Sequence, residues 1–195
     1  MKIAITGNIG SGKSTFSKFA EEAGFPVLRA DDISKNILDN DAKVRVLVIN
    51  EFGDKSFKDG KPNKTFIAKE VFSNPSKLKK LENILHPRVI KSIDKTIKEL
   101  SKKHSAVFVE AALIYEADME DMFDYIVLIT SQRENRLQRK IVFGISEEDF
   151  NRREQNQISE DEKKKRADFI FSNDTIKDEL KMKFNLLLLT LGLTK

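Results

Sequence analysis

The 195-residue chain is predicted to fold as an α/β protein: a five-stranded parallel sheet sandwiched by helices, with a helical insertion and a helical lid. Three observations predict it. Five short Ile/Val/Phe-rich segments lack strict alternation, the pattern of parallel strands covered on both faces. Helical periodicity fills the stretches between them. A glycine-rich turn joins the first strand to the first helix, and right-handed crossovers then make the sheet parallel.

Each element follows in order. Lys2–Thr6 reads as the first strand. Phe16, Phe19, Ala20 and Ala23 recur at helical spacing, and Gly24 with Pro26 beyond it is a helix stop. Residues 25–29 form a second strand, which places Asp31 and Asp32 at the carboxyl edge of the sheet, beside the first strand. Residues 33–103 show no convincing strand. Their helical patterns are 41–52, a helix opening at Asn74-Pro75, where Asn caps and Pro takes the first helical position, and a run after His86-Pro87. Residues 106–110 and 125–130 are the third and fourth strands. Residues 132–166 carry 10 basic and 8 acidic side chains and few large apolar ones, which predicts an exposed, mobile helical pair. Residues 168–172 are the fifth strand, and Ile176, Leu180, Phe184, Leu187, Leu188 and Leu191 have the spacing of a helix that closes one face. The expected organisation is a core of 1–32, 104–131 and 167–195, a helical region 33–103 and a lid 132–166.

Composition narrows the function. With 39% hydrophobic and 34% charged residues, 8 Gly and 4 Pro, the chain is neither collagen-like, mucin-like nor wholly disordered. The absence of cysteine excludes a disulfide scaffold, a zinc finger, an iron–sulfur cluster and a cysteine nucleophile. The longest near-continuous apolar stretch, 186–193, is far short of the ~18 residues of a membrane span, and no apolar targeting segment precedes the first motif. A cytoplasmic protein without a membrane partner is expected. The 35 basic and 31 acidic residues are intermingled, and no basic stripe is interleaved with aromatics. A net charge of +4 suits a small polyanionic ligand at least as well as a nucleic acid, the missing stripe weakens the nucleic-acid reading, and no nucleic-acid partner is expected. A monomer is favoured.

Gly7-Asn8-Ile9-Gly10-Ser11-Gly12-Lys13-Ser14-Thr15 fits G-x-x-x-x-G-K-[ST] in the strand–turn–helix context that gives the pattern its meaning. Such a loop wraps phosphates with backbone N–H groups at the positive end of a helix. Lys13 would reach the outer phosphates and the Ser14 hydroxyl would ligate magnesium. Asp31 and Asp32 offer a carboxylate for an acceptor hydroxyl, although Asp32 or Ser34 could instead cap the next helix, leaving Asp31 for chemistry. Glu110 ends a buried strand and reads equally as a magnesium- or water-organising acid and as a helix cap. Arg133, Arg136, Arg139 and Lys140 follow the fourth strand, and Arg136 and Lys140 share a helix face. Arginines suit the charge of a transferring phosphoryl group, though charge runs are usually solvated surface. His86 alone reads as a helix-start residue.

Together these landmarks resemble the dephospho-CoA kinase family over nearly the whole chain. Gly10 to Thr15 match its loop, and Ala30-Asp31 the latter part of its Asp-Ala-Asp signature. Leu85-His86-Pro87-Arg88-Val89-Ile90 are similar to its His-Pro segment, and Leu113-Ile114-Tyr115-Glu116 to its Leu-Leu-Phe-Glu segment. Arg153, Gln157, Lys163, Ala167-Asp168 and Asn173 fall at the spacing of its closing positions. The chain departs from the family pattern at Arg29, where an acid is usual, at Glu110-Ala111-Ala112, and at Lys140-Ile141-Val142-Phe143-Gly144.

The resemblance implies a phosphate-loop (P-loop) kinase fold in which ATP with Mg2+ phosphorylates the ribose 3′-hydroxyl of dephospho-CoA, the last step of coenzyme A synthesis. Lys13, Asp31, Arg136 and Lys140 would be catalytic, with Arg139 an alternative to Lys140. Gly10, Ser11, Gly12, Lys13, Ser14, Thr15 and Asn173 would bind the nucleotide. Asp31, His86, Arg88, Glu116 and Gln157 would bind the acceptor, and Ser14 and Asp31 the metal. Two rival readings share the loop: a kinase for another small acceptor such as a nucleoside monophosphate or shikimate, and a nucleotide-dependent switch or assembly ATPase.

Overall fold

A computed structural model describes residues 1–72 and 74–194. Its sheet consists of β1 (Lys2–Thr6), β2 (Val27–Arg29), β5 (Val107–Glu110), β6 (Tyr125–Thr130) and β7 (Phe169–Ser172), with the two-residue strands β3 (Phe57–Lys58) and β4 (Lys61–Pro62) in a separate hairpin. All pairings in the large sheet are parallel. The nine α-helices of the described residues are α1 (Lys13–Glu22), α2 (Ala30–Asn40), α3 (Ala42–Phe52), α4 (Lys64–Phe72), α5 (Pro75–Leu100), α6 (Arg133–Val142), α7 (Glu147–Gln155), α8 (Glu160–Arg166) and α9 (Lys177–Thr190).

The strand order β2-β5-β1-β6-β7 corrects one expectation: the second strand is not beside the first, because β5 lies between them. Burial explains the order. Val107, Phe108 and Val109 are wholly inaccessible, as interior strands require, whereas Val27, Leu28 and Arg29 are all half-buried and make an edge. Ile3, Ile5, Phe108, Val127 and Ile129 turn to one face and pack against Phe16 and Phe19 of α1 and Leu180, Phe184 and Leu187 of α9. The alternate residues Ala4, Val107, Val109 and Leu128 are equally buried, so both faces are covered. Ile176, expected in the α9 stripe, is instead 70% exposed at the helix start.

The chain divides into two compact units, Met1–Arg29 with Thr96–Lys195, and Ala30–Lys95. In the second unit, Val44, Val48, Ile67, Val71 and Leu85 form a separate apolar cluster. Asp41 caps α3 by accepting from the Lys43 and Val44 amides, at 2.8 and 3.1 Å. Two expectations for this stretch are corrected. The β3–β4 hairpin is present, its turn at Asp59-Gly60 having both φ values positive, 50° and 78°. The helix opened at Pro75, where the Asn74 side chain accepts from the Ser76 amide at 2.9 Å, runs straight through Pro87 rather than restarting at His86-Pro87. The burial of Leu85 and Val89 on either side of Pro87 outweighs the one backbone hydrogen bond that proline removes.

Candidate functional site

The phosphate loop occupies residues 7–12, between β1 and α1, at the carboxyl edge of the sheet. Its shape demands glycine. Gly10 has φ 79°, and a Cβ there would lie 2.5 Å from the Arg136 carbonyl oxygen. Gly12 has φ 105° at the N-cap of α1, and a Cβ would collide with the Asn173 amide nitrogen. Lys13 turns back over the loop and donates to the Gly7 and Asn8 carbonyls at 2.8 and 3.2 Å.

Ser14, one residue on, donates its hydroxyl to Glu110 Oε1 at 2.6 Å. Strand register makes this contact. Ile5 of β1 pairs with Glu110 of β5, and Arg29 of β2 pairs with Glu110 from the other side. The Arg29 Nε lies 3.4 Å from Glu110 Oε2, and its Nη1 reaches Glu21 at 2.6 Å. Glu110 Oε2 is buried and accepts no hydrogen bond, so its charge is met by the Arg29 guanidinium alone at 3.4 Å, beside the Ser14 hydroxyl. The arginine and the glutamate at two points of departure from the family pattern are thus partners across neighbouring strands.

Residues 132–166 form three helices, not the expected pair, and the expectation that they bury little is corrected. Arg136 is 6% exposed, Phe150 and Lys163 are fully buried, and a set of polar bonds ties the segment to the core. The Arg136 fork donates to the Ser131 carbonyl at 3.0 Å, the Ile9 carbonyl at 3.2 Å and Glu154 at 2.7 Å, and lies over the Phe150 ring. Arg139 donates to the Gly10 carbonyl at 3.2 Å and the Asn173 carbonyl at 2.5 Å. Lys140 is half-exposed and has no side-chain partner among the described residues.

Gln157 and Glu116, expected at the acceptor, serve here as joints within the first unit. The Ile9 amide donates to Gln157 Oε1 at 2.9 Å, and Gln157 Nε2 donates to the Ala112 carbonyl at 3.4 Å. Glu116 accepts from the Ile158 amide at 2.9 Å and pairs with buried Lys163 at 3.2 Å. Burial holds the Lys163 ammonium below the usual lysine range, opposed by the Glu116 charge, and burial pushes the neighbouring Tyr115 hydroxyl up to about 12. Asn173 is buried and donates to the Ser11 carbonyl at 2.7 Å. Asp174, which sequence reading passed over, accepts from the Ser131 hydroxyl and the Gln132 amide at 2.7 and 2.8 Å. Its only signal was the Asn-Asp pair after the last strand.

In the second unit, Asp31 is exposed in the first turn of α2, and no hydrogen bond or ion pair holds its carboxylate among the described residues. Asp32 pairs with Lys35 at 3.1 Å. His86 is half-buried on α5, and Arg88 donates to the Ile84 carbonyl at 2.8 Å.

The Glu154 anchor gives a pH prediction. Burial raises its pKa, but hydrogen bonds from Arg133 and Arg136 outweigh this and hold it below the ordinary 4.5. A carboxylate with a lowered native pKa stabilises the fold above its unfolded value and loses that contribution as pH falls through the native one. Glu154→Gln is therefore expected to cost about 1–2 kcal/mol at pH 7, with the deficit constant down to pH 4.5 and shrinking below it. Thermal melts of both proteins between pH 7 and 3 check this; a deficit that grows on acidification contradicts it.

Among the described residues, no helix is long and apolar enough to cross a membrane. A model of the dephospho-CoA kinase family matches residues 1–179. Dephospho-CoA kinase of Leptospira interrogans is 35% identical over 192 residues, covering 95% of this chain and 92% of that protein. The enzyme of the same name from Fusobacterium nucleatum is 35% identical over 187 residues, covering 92% of this chain and 93% of its own. The solved structure of dephospho-CoA kinase from Campylobacter jejuni superposes with a TM-score of 0.74 at 30% identity, over 98% of both chains. Shikimate kinase from Acinetobacter baumannii shares the fold alone, with a TM-score of 0.55 at 13% identity.

Proposed function

This chain belongs to the dephospho-CoA kinase family, and we propose that its phosphate loop, Glu110, Asp31 and Lys140 divide the work of that reaction as follows. The activity is ATP-dependent phosphorylation of dephospho-CoA, a transfer to an alcohol group, here the ribose 3′-hydroxyl, that yields coenzyme A. The alternative of another small acceptor is not favoured. The observation that carries the reading is the family match across residues 1–179, which spans the loop, both units and the 132–166 segment together.

The loop amides and Lys13 hold the phosphates of ATP, with α1 adding its N-terminal dipole. Magnesium prefers hard oxygen donors and binds through few protein groups plus substrate phosphates. The Ser14 hydroxyl and the Glu110 carboxylate, whose buried Oε2 accepts no hydrogen bond, fit it, and Mg2+ bound there would supply neutralisation of phosphate charge. The metal role expected of Asp31 thus falls to Glu110. Asp31 aligns the acceptor 3′-hydroxyl and takes its proton late in transfer, since an alcohol is a poor nucleophile at neutral pH. Lys140 lies one turn beyond Arg136 on the same helix face, and its ammonium, unpaired among the described residues, offsets charge on the loose transition state. His86 and Arg88 contribute to holding the acceptor.

A coupled assay of ADP release with dephospho-CoA, AMP, shikimate or no acceptor tests the function. Turnover only with dephospho-CoA is expected. Faster turnover with AMP or shikimate supports the rival kinase, and release independent of acceptor supports the switch or assembly ATPase.

A further inference from the structure

In a trans peptide the carbonyl of one residue and the amide N–H of the next point in opposite directions, so a group that grips the carbonyl also aims the amide. Every carbonyl from residue 7 to residue 11 is gripped by a side chain. Lys13 holds those of Gly7 and Asn8, Arg136 that of Ile9, Arg139 that of Gly10, and Asn173 that of Ser11. The grips on the Ile9 and Ser11 carbonyls set the directions of the Gly10 and Gly12 amides, which belong to the part of the loop that wraps a phosphate chain, while the Ser11 amide donates within the loop to the Asn8 carbonyl at 3.1 Å.

Arg136 differs from the other cations near the loop. It is 6% exposed, and its fork spends three donors at once, on Ser131 O, Ile9 O and Glu154. Glu154 neutralises it, at 2.7 Å, and is itself bonded to Arg133. A cation so paired has little charge left for a reacting phosphoryl group, whereas its geometry is well suited to holding a backbone. A planar guanidinium is the side chain able to bridge a helix turn, a loop carbonyl and a carboxylate in one fixed arrangement.

Taking the loop as the ATP site, we infer that Arg136 is a positioning residue that acts through the Ile9 carbonyl to preset the loop amides for phosphate, and that it does not neutralise the transferring group. Preset amides serve the ground state and the transition state alike. Losing them weakens nucleotide binding as such, including binding of ADP, which has no phosphoryl group to transfer.

Arg136→Met and Arg136→Lys are compared with the parent by calorimetric titration of ADP in excess Mg2+, by kcat and KM for ATP, and by hydrogen exchange of residues 8–13. Both variants are expected to bind ADP about tenfold more weakly, the loss of one charge-assisted hydrogen bond. KM for ATP rises in parallel, and exchange of the Gly10 amide accelerates. Lysine does not rescue, because one ammonium cannot replace the fork. Unchanged ADP affinity with a fall in kcat alone, restored by lysine, overturns the role in favour of charge neutralisation. A lower melting temperature with ADP affinity and loop exchange unchanged overturns it in favour of bare structural support. Should the substitutions at Arg136 prevent folding, Glu154→Gln loosens the guanidinium without removing it; a smaller rise in ADP Kd supports the role, and an unchanged Kd overturns it. A parent that binds no ADP overturns the loop assignment itself, an outcome distinct from a parent that binds and variants that match it.

Discussion

Lys13→Ala is expected to lower the rate of dephospho-CoA phosphorylation by ~10²–10³-fold, the scale of removing one preorganised donor from a developing charge. The fold should survive. The Lys13 side chain is only partly buried, it donates to carbonyls of its own loop at 2.8 and 3.2 Å, and it is no member of the apolar cluster that packs α1 on the sheet. A parallel measurement of turnover and thermal melting in one preparation checks both halves. A variant that melts like the parent and still phosphorylates dephospho-CoA at a comparable rate would remove the loop from the mechanism.

Asp31→Asn carries the second large effect. Asparagine preserves size and hydrogen bonding but accepts no proton, so kcat should fall by ~10²–10⁴-fold. Melting temperature should hardly move, because Asp31 is exposed and unpaired among the described residues. An acid in the first turn of a helix is worth at most about 1 kcal/mol through the dipole. The contrary pattern, a stability loss of about 1 kcal/mol with near-normal kcat, would mean that Asp31 only supports α2. Recovery of the lost rate at raised magnesium would instead return the metal role to Asp31. Near-normal turnover at ordinary magnesium would eliminate both catalytic roles and leave Glu110 as the carboxylate to vary next.

Legibility differed between elements for physical reasons. The phosphate loop could be read because its glycines answer to local backbone geometry, positive φ at Gly10 and Gly12, and because the flanking strand and helix announce themselves within a few residues. The five strands could be read to within two residues at their starts because each is an apolar run, although only β1, β5 and β6 are buried on both faces: β2 is half-buried, and β7 leaves Ile170 46% exposed on one face. The β3–β4 hairpin escaped notice: two-residue strands carry no period, and only the Asp59-Gly60 turn marked them. Pro87 misled because its effect depends on what its neighbours bury. The charged segment 132–166 misled more deeply. Composition counts charges without their partners, and the buried Arg136 and Lys163 are paired with the half-buried Glu154 and Glu116.

The sequence by itself determined the fold class, the strand positions, the phosphate loop and, through the ordered landmarks, the family. Each of these rests on interactions among residues close in the chain, or on an order of residues that needs no geometry. Only the tertiary structure decided that β5 separates β2 from β1, that Glu110 meets Ser14 across 96 residues of chain, and that Arg136 grips Ile9 across 127. Those outcomes come from competition among distant segments for interior places in the sheet and for hydrogen-bond partners inside it, and a local pattern carries no record of which competitor wins.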